Sequence, residues 1–197
     1  AKELNYMQTR NTPKLIYPVE NFQDDIDDQF RDHGFFQGKD WGIHLGVDFH
    51  LPNGTKIFAI GRGTVVYSKL HAAEISEDGK ILKQNWGGVI IIAHKNPKNK
   101  KIFYSLYGHL GKRYVKKGDM VEMGELIGTI GRSKSESNGG WLEEHLHFAI
   151  YHGPYHGKVL PGYFNEGQNI TKVEYWSEPI NFIKRYGSNS SQKSGAE

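Results

Sequence analysis

The chain has 197 residues, enough to bury one core, and its 37% hydrophobic content includes no apolar run near the roughly 20 residues a membrane-spanning helix needs. Its formal charge of +3 mixes 25 basic with 22 acidic side chains, without the concentrated basic stripe of a nucleic-acid binder. Having no cysteine, it excludes disulfides and thiolate zinc fingers.

The start, AKELNYM, carries neither an initiator Met nor a charged-then-apolar leader, as expected of a processed or trimmed chain. The first forty residues are polar and irregular, with an acidic stretch DDIDDQFRD at 24–32, and are expected to pack on the domain as an extension. From residue 41 onward, short β-branched and aromatic runs alternate with Gly-containing turns. That rhythm predicts strands over 44–50, 56–60, 63–70, 87–94, 101–110, 126–132 and 145–151. The longest apolar run, VIIIA at 89–93, is strand-sized, and the basic stretch HKNPKNKK at 94–101 reads as a hairpin tip. Helical periodicity is confined to IDDQFRD and the terminal EPINFIKRY, so the fold class is mainly β, with few short helices.

Three segments interrupt the strands: 71–86, 133–143 (SKSESNGGWLE) and 152–175. Loops this long in a small β domain are expected to wall a site. The last eleven residues, GSNSSQKSGAE, read as a disordered tail over 187–197, leaving a domain over 41–186.

The chemistry-bearing residues fall in three separate fragments. In HLHFAIY, His145 and His147 project to one face of a strand while Leu146, Phe148 and Ile150 project to the other, where a core takes them. In HLGVDFH, His44 and Asp48 share a face but would stand roughly 13 Å apart on a straight strand. One metal cannot span that distance, so a shared ion requires a bend, and Gly46 lies between them to permit it. The third fragment is His109, at the end of the aromatic strand YSLYGHL. Together the five residues supply three ligands of the type zinc favours and two spare imidazoles for proton transfer. His94 is expected to be structural, His50 to line the groove, and His152 and His156 to sit in a bordering loop without a ligand role. The chain lacks G-x-S-x-G and H-E-x-x-H, and the glycines of IGTIGR do not open a helix after a strand.

In order, spacing and context these fragments resemble the lysostaphin-type, or LytM-like, zinc endopeptidases of bacterial cell walls. The H-x-x-x-D motif stands as His44 to Asp48, H-x-H as His145 to His147, and Y-x-H-L as Tyr107 to Leu110. VKKGDMVEMGELIGTIG at 115–131 resembles the family's Gly-rich hairpin, and SEPINFI at 177–183 its proline-containing close. The resemblance implies an antiparallel β-sheet groove with one Zn²⁺ held by His44, Asp48 and His147, water in the fourth position, and His109 and His145 flanking as catalytic residues. It also implies hydrolysis of Gly- or D-Ala-containing cross-links of peptidoglycan by a monomer that is secreted, periplasmic or wall-associated. The expected partners are wall peptides, with no nucleic acid. The charged loop SKSESNGGWLEE and the long 71–86 segment depart from the family's pattern, so they bear on substrate. Two other readings are a catalytically silent scaffold that binds the wall or activates another hydrolase, and a biotin- or lipoyl-type carrier. The carrier reading fails because the hairpin lacks an E-x-M-K-M-like turn.

Overall fold

The computed structural model describes residues 14–20, 29–36 and 39–187. In chain order the strands are β1 (His33–Phe36), β2 (Lys39–His44), β3 (Val47–His50), β4 (Lys56–Phe58), β5 (Gly63–His71), β6 (Glu74–Ile75) and β7 (Ile81–Lys83). They continue with β8 (Gly87–Lys95), β9 (Ile102–Arg113), β10 (Met120–Val121), β11 (Leu126–Ile130), β12 (His145–Tyr151), β13 (Tyr163–Phe164) and β14 (Trp176–Ser177). Helix α1 (Pro179–Tyr186) follows, capped by the Glu178 carboxylate, which accepts the N–H groups of Ile180 and Asn181. Its Ile180, Phe182 and Ile183 face the core.

All strand pairs are antiparallel, and the large sheet runs β10-β5-β8-β9-β11-β4. β9 is its spine. One edge pairs with β8; the other pairs with β12 over residues 104–108 and then with β11 over 110–113. The sheet therefore forks at residue 109. β12 lies between β9 and β3, with every residue buried. Leu146, Phe148 and Ile150 enter one apolar cluster with Val47, Ile57 and Ile92, while Ala149 and Tyr151 enter a second with Leu106 and Trp176. A strand covered on both faces carries apolar residues in both alternations, and only at its start do histidines replace them.

Several sequence expectations need adjusting. The 71–86 segment is no bare loop: β6 and β7 form a small hairpin within it, too short to leave a period-2 signature. Residue 41 falls inside β2, which pairs with β1 on one side and β13 on the other. Leu15 and Val19 are buried in the core. The acidic run at 24–32 lies partly outside the described residues, and its described part, from Gln29, contains a turn and no helix. Residues 188–197 also lie outside them. Among the described residues no helix is long and apolar enough to cross a membrane.

His94 has the structural place expected of it. Its Nδ1 donates to the Arg62 carbonyl (2.9 Å), and Ser105 Oγ bridges its Nε2 (2.7 Å) to the Tyr107 hydroxyl (3.0 Å). Burial pushes the imidazole down to about 4. With a folded pKa below the unfolded value of about 6.5, the unfolded chain takes up the proton first. The neutral ring's contribution is full above that value and is lost as the pH falls towards about 4, costing about 3 kcal/mol. Urea unfolding of a His94→Gln variant, followed between pH 7 and 4, is expected to show a shallower loss of stability than the parent.

Candidate metal centre

Register and one bend assemble the centre. Asp48 pairs directly with His147 across β3 and β12, and His50 pairs with His145 in the same ladder. Opposed residues share a face, so the Asp48 carboxylate meets the His147 ring. β2 ends at His44, and the chain bends at Gly46 before β3 begins. That bend draws His44 Nε2 to 3.4 Å from Asp48 Oδ1 and 3.1 Å from His147 Nδ1, while His147 Nδ1 is 3.2 Å from Asp48 Oδ1. Gly46 also makes room: a Cβ there would stand 2.5 Å from the Phe148 carbonyl and 2.7 Å from His147 Nε2.

The triangle fits a metal. A tetrahedral zinc site with bonds of about 2.0–2.2 Å separates its ligand atoms by about 3.3–3.6 Å. The three residues are 2%, 5% and 2% exposed, and Asp48 Oδ1 has no hydrogen-bond partner among the described residues. Two ring nitrogens and a carboxylate oxygen thus converge where a cation would satisfy all of them. His44 Nδ1 donates to the Gln29 carbonyl (3.1 Å), which leaves its Nε2 with the lone pair a metal needs. Burial alone would raise the Asp48 carboxyl, but the His147 and His44 imidazoles outweigh it and hold the group well below the usual carboxylate range. Burial, partly opposed by Asp48, takes His147 down to about 4, so this ring is neutral near pH 7.

His109 and His145 stand beside the triangle, their ring centroids 4.5 Å apart. His145 Nδ1 donates to the Glu143 carbonyl (3.1 Å), and its Nε2 lies 3.9 Å from Asp48 Oδ2. His109 Nδ1 donates to the Asn138 carbonyl (3.2 Å). A carbonyl can only accept, so each ring is held as its Nδ1–H tautomer with the Nε2 lone pair free for a proton. Burial, with the neighbouring His145 and His147, keeps His109 well below the ordinary histidine value.

His109 is aimed by the fork in the sheet. Gly108 and His109 together oppose the single residue Val89, a bulge that puts His109 at φ +62°. Its N–H donates to the Trp86 carbonyl, and its own carbonyl accepts from Gly131. The left-handed backbone costs about 1–2 kcal/mol in a non-glycine residue. Here it turns an imidazole out of the ladder and into the cleft.

The cleft, of about 240 Å³, is lined by Asp48, His50, His109, His145 and His147 together with four aromatic residues. As expected, its walls come from the three long segments: Gln84 to Trp86, Trp141 and Glu143, and Gly162 with Tyr163. Trp141 Nε1 donates to the Asn85 carbonyl (3.0 Å), tying two of these walls together. His152 and His156 do not line it.

Sequence reasoning overlooked Trp41, Trp86 and Tyr163. Trp86 donates from Nε1 to the Leu160 carbonyl (3.1 Å) and sets its edge against His147, with ring centroids 5.0 Å apart. Its six-membered ring lies where a Cβ on Gly108 would be, 2.4 Å from the nearest carbon. An aromatic residue just before a Gly-Gly strand start was the available signal. Tyr163 carries none, because its contact with His44 depends on the β2–β13 pairing.

A sequence model of peptidase family M23 matches residues 42–161. The glycyl-glycine endopeptidase ALE-1 of Staphylococcus capitis is 31% identical over 163 residues, covering 80% of this chain and 34% of that protein. The peptidoglycan DD-endopeptidase ShyA of Vibrio cholerae is 31% identical over 107 residues, covering 54% of this chain and 20% of that one. The chain therefore spans well under half the length of these curated relatives. Among solved structures, lysostaphin from Staphylococcus simulans superposes with a TM-score of 0.55 at 22% identity, covering 95% of this chain and 61% of that chain. A zinc-containing peptidase from Vibrio cholerae gives 0.52 at 26% identity, covering 72% and 37%.

Proposed function

Because the chain belongs to peptidase family M23, we propose that it is a zinc-dependent endopeptidase that hydrolyses peptide cross-links of bacterial peptidoglycan at Gly- or D-Ala-containing bonds. The observation that carries this reading is the His44, Asp48 and His147 triangle beside a cleft that also holds the Nε2 lone pairs of His109 and His145. Zinc bound by these three residues would act as a Lewis acid on the amide and lower the pKa of a water towards about 7. Of the chain's own groups, one of His109 and His145 accepts the proton of the attacking water. The other, once protonated, donates to the developing oxyanion or to the leaving amine. The aromatic walls exclude water and accept an extended peptide with small side chains. The domain takes in β1 and β2 together with residues 41–186, because β2 crosses that boundary and pairs with both β1 and β13. It acts as a monomer that is secreted, periplasmic or wall-associated. The name of ShyA, a peptidoglycan endopeptidase, supports wall peptides as substrate, and that of ALE-1, a glycyl-glycine endopeptidase, supports Gly-containing bonds.

Chelation provides the test. Removing metal is expected to abolish cleavage of purified walls and lower the melting temperature, and zinc at about 1,000 times its Kd is expected to restore about 4 kcal/mol of stability along with activity. Cleavage that survives complete chelation would contradict the proposal.

A further inference from the structure

A second groove, of about 570 Å³, lies on the face of β4, β9 and β11 and shares no lining residue with the cleft. Sheet register builds it. Thr129 on β11 pairs with Lys56 on β4 and with Lys112 on β9, so Lys56, Thr129 and Lys112 form one cross-strand row on a single face. Two strand spacings separate the lysine Cα atoms, which sets them roughly 10 Å apart. Arg132, two residues past the end of β11, adds a third cation, and Tyr114 lines the groove at 52% exposure.

Among the described residues no acidic side chain lines this groove. Nearby Glu144 accepts the N–H groups of Asn53 (2.8 Å) and Ser133 (3.0 Å) and also faces the charge of Arg132, so Lys56 and Lys112 are the groove's principal cations. Those bonds tie the borders of the groove to the residue preceding His145. An edge-strand lysine often serves only to block sheet pairing, which would account for Lys56. It does not account for Lys112, on an interior strand, or for Arg132 on a loop. Two lysines set by strand register and an arginine on the loop that follows, beside an exposed aromatic ring, match a polymer with repeated anionic groups and ring faces to stack.

We propose that this groove binds an acidic wall polymer, presenting carboxylates or phosphates to Lys56, Lys112 and Arg132, and so holds the wall beside the catalytic cleft. The wall as the source of the polymer rests on the peptidase reading; the anion chemistry does not.

The test compares the zinc-loaded parent with the triple variant Lys56→Gln, Lys112→Gln, Arg132→Gln. All three residues are exposed and outside the metal centre, so matching melting temperatures are expected. Co-sedimentation uses purified walls with their phosphate polymers retained or chemically stripped, at low and high salt. A short uncharged cross-link peptide reports the cleft. The parent is expected to bind walls in a salt-sensitive way, and the variant to bind about ten- to a hundredfold more weakly. Both should cleave the short peptide at the same rate. Parent binding that disappears on stripping assigns phosphate as the anion; binding that persists assigns carboxylate. Equal wall binding by parent and variant would overturn the groove. If neither protein cleaves peptide while the binding difference remains, the peptidase reading falls and the groove stands.

Discussion

Replacing His109 by alanine is expected to lower wall cleavage by about 10²–10⁴-fold while leaving the metal content unchanged. The ring touches the ligand triangle only edge-on, with its centroid 6.3 Å from that of His147, and its Nδ1–H is spent on the Asn138 carbonyl rather than on a ligand. The loss should therefore appear in kcat with zinc still stoichiometric, as measured by elemental analysis of the same sample. Alanine also retains the unfavourable φ of +62°, so the variant keeps the backbone cost and gives up the group that justified it. Full activity in this variant would remove His109 from the mechanism and leave the proton transfers to His145.

Gly46→Ala is expected to be nearly as damaging by a different route. Its Cβ would meet the Phe148 carbonyl at 2.5 Å, the His147 ring at 2.7 Å and Ala149 Cβ at 3.1 Å, and backbone cannot yield as a flexible side-chain tip would. Relief means displacing His147 from Asp48. The expected result is a roughly 10–100-fold loss of zinc affinity and a stability loss of about 1–3 kcal/mol. Gly54→Ala is the natural control. It sits at φ +83° with nothing within 4 Å, so it should cost about 1–2 kcal/mol and leave zinc affinity alone. Calorimetric zinc titration of the two variants distinguishes crowding of the metal centre from general destabilisation.

Much of this architecture is legible in the residues themselves. The alternation in HLHFAIY places Leu146, Phe148 and Ile150 in the core and the two histidines on the other face, as the structure has them. The 13 Å separation of His44 and Asp48 on a straight strand demanded a bend, and Gly46 is where the chain turns. What stays hidden is long-range. Nothing local announces that Asp48 faces His147, because that register joins segments a hundred residues apart. Nor does YGHL reveal that β9 changes partners at His109, which aims the ring. Tyr163 escapes notice for the same reason, whereas Trp86 leaves a local signal just before Gly87 and Gly88. An aromatic residue such as Tyr163 becomes a site wall only through a pairing that local pattern cannot express. The β6–β7 hairpin escapes because strands of two and three residues carry no measurable period.

The measurement that bears most directly on this account is digestion of purified sacculi of several cross-link types by the zinc-loaded protein, with the products read by mass spectrometry. New free amino termini are expected at one class of bond, absent when His109 is replaced by alanine. Intact sacculi of every type, from protein shown to hold one zinc per chain, would contradict it.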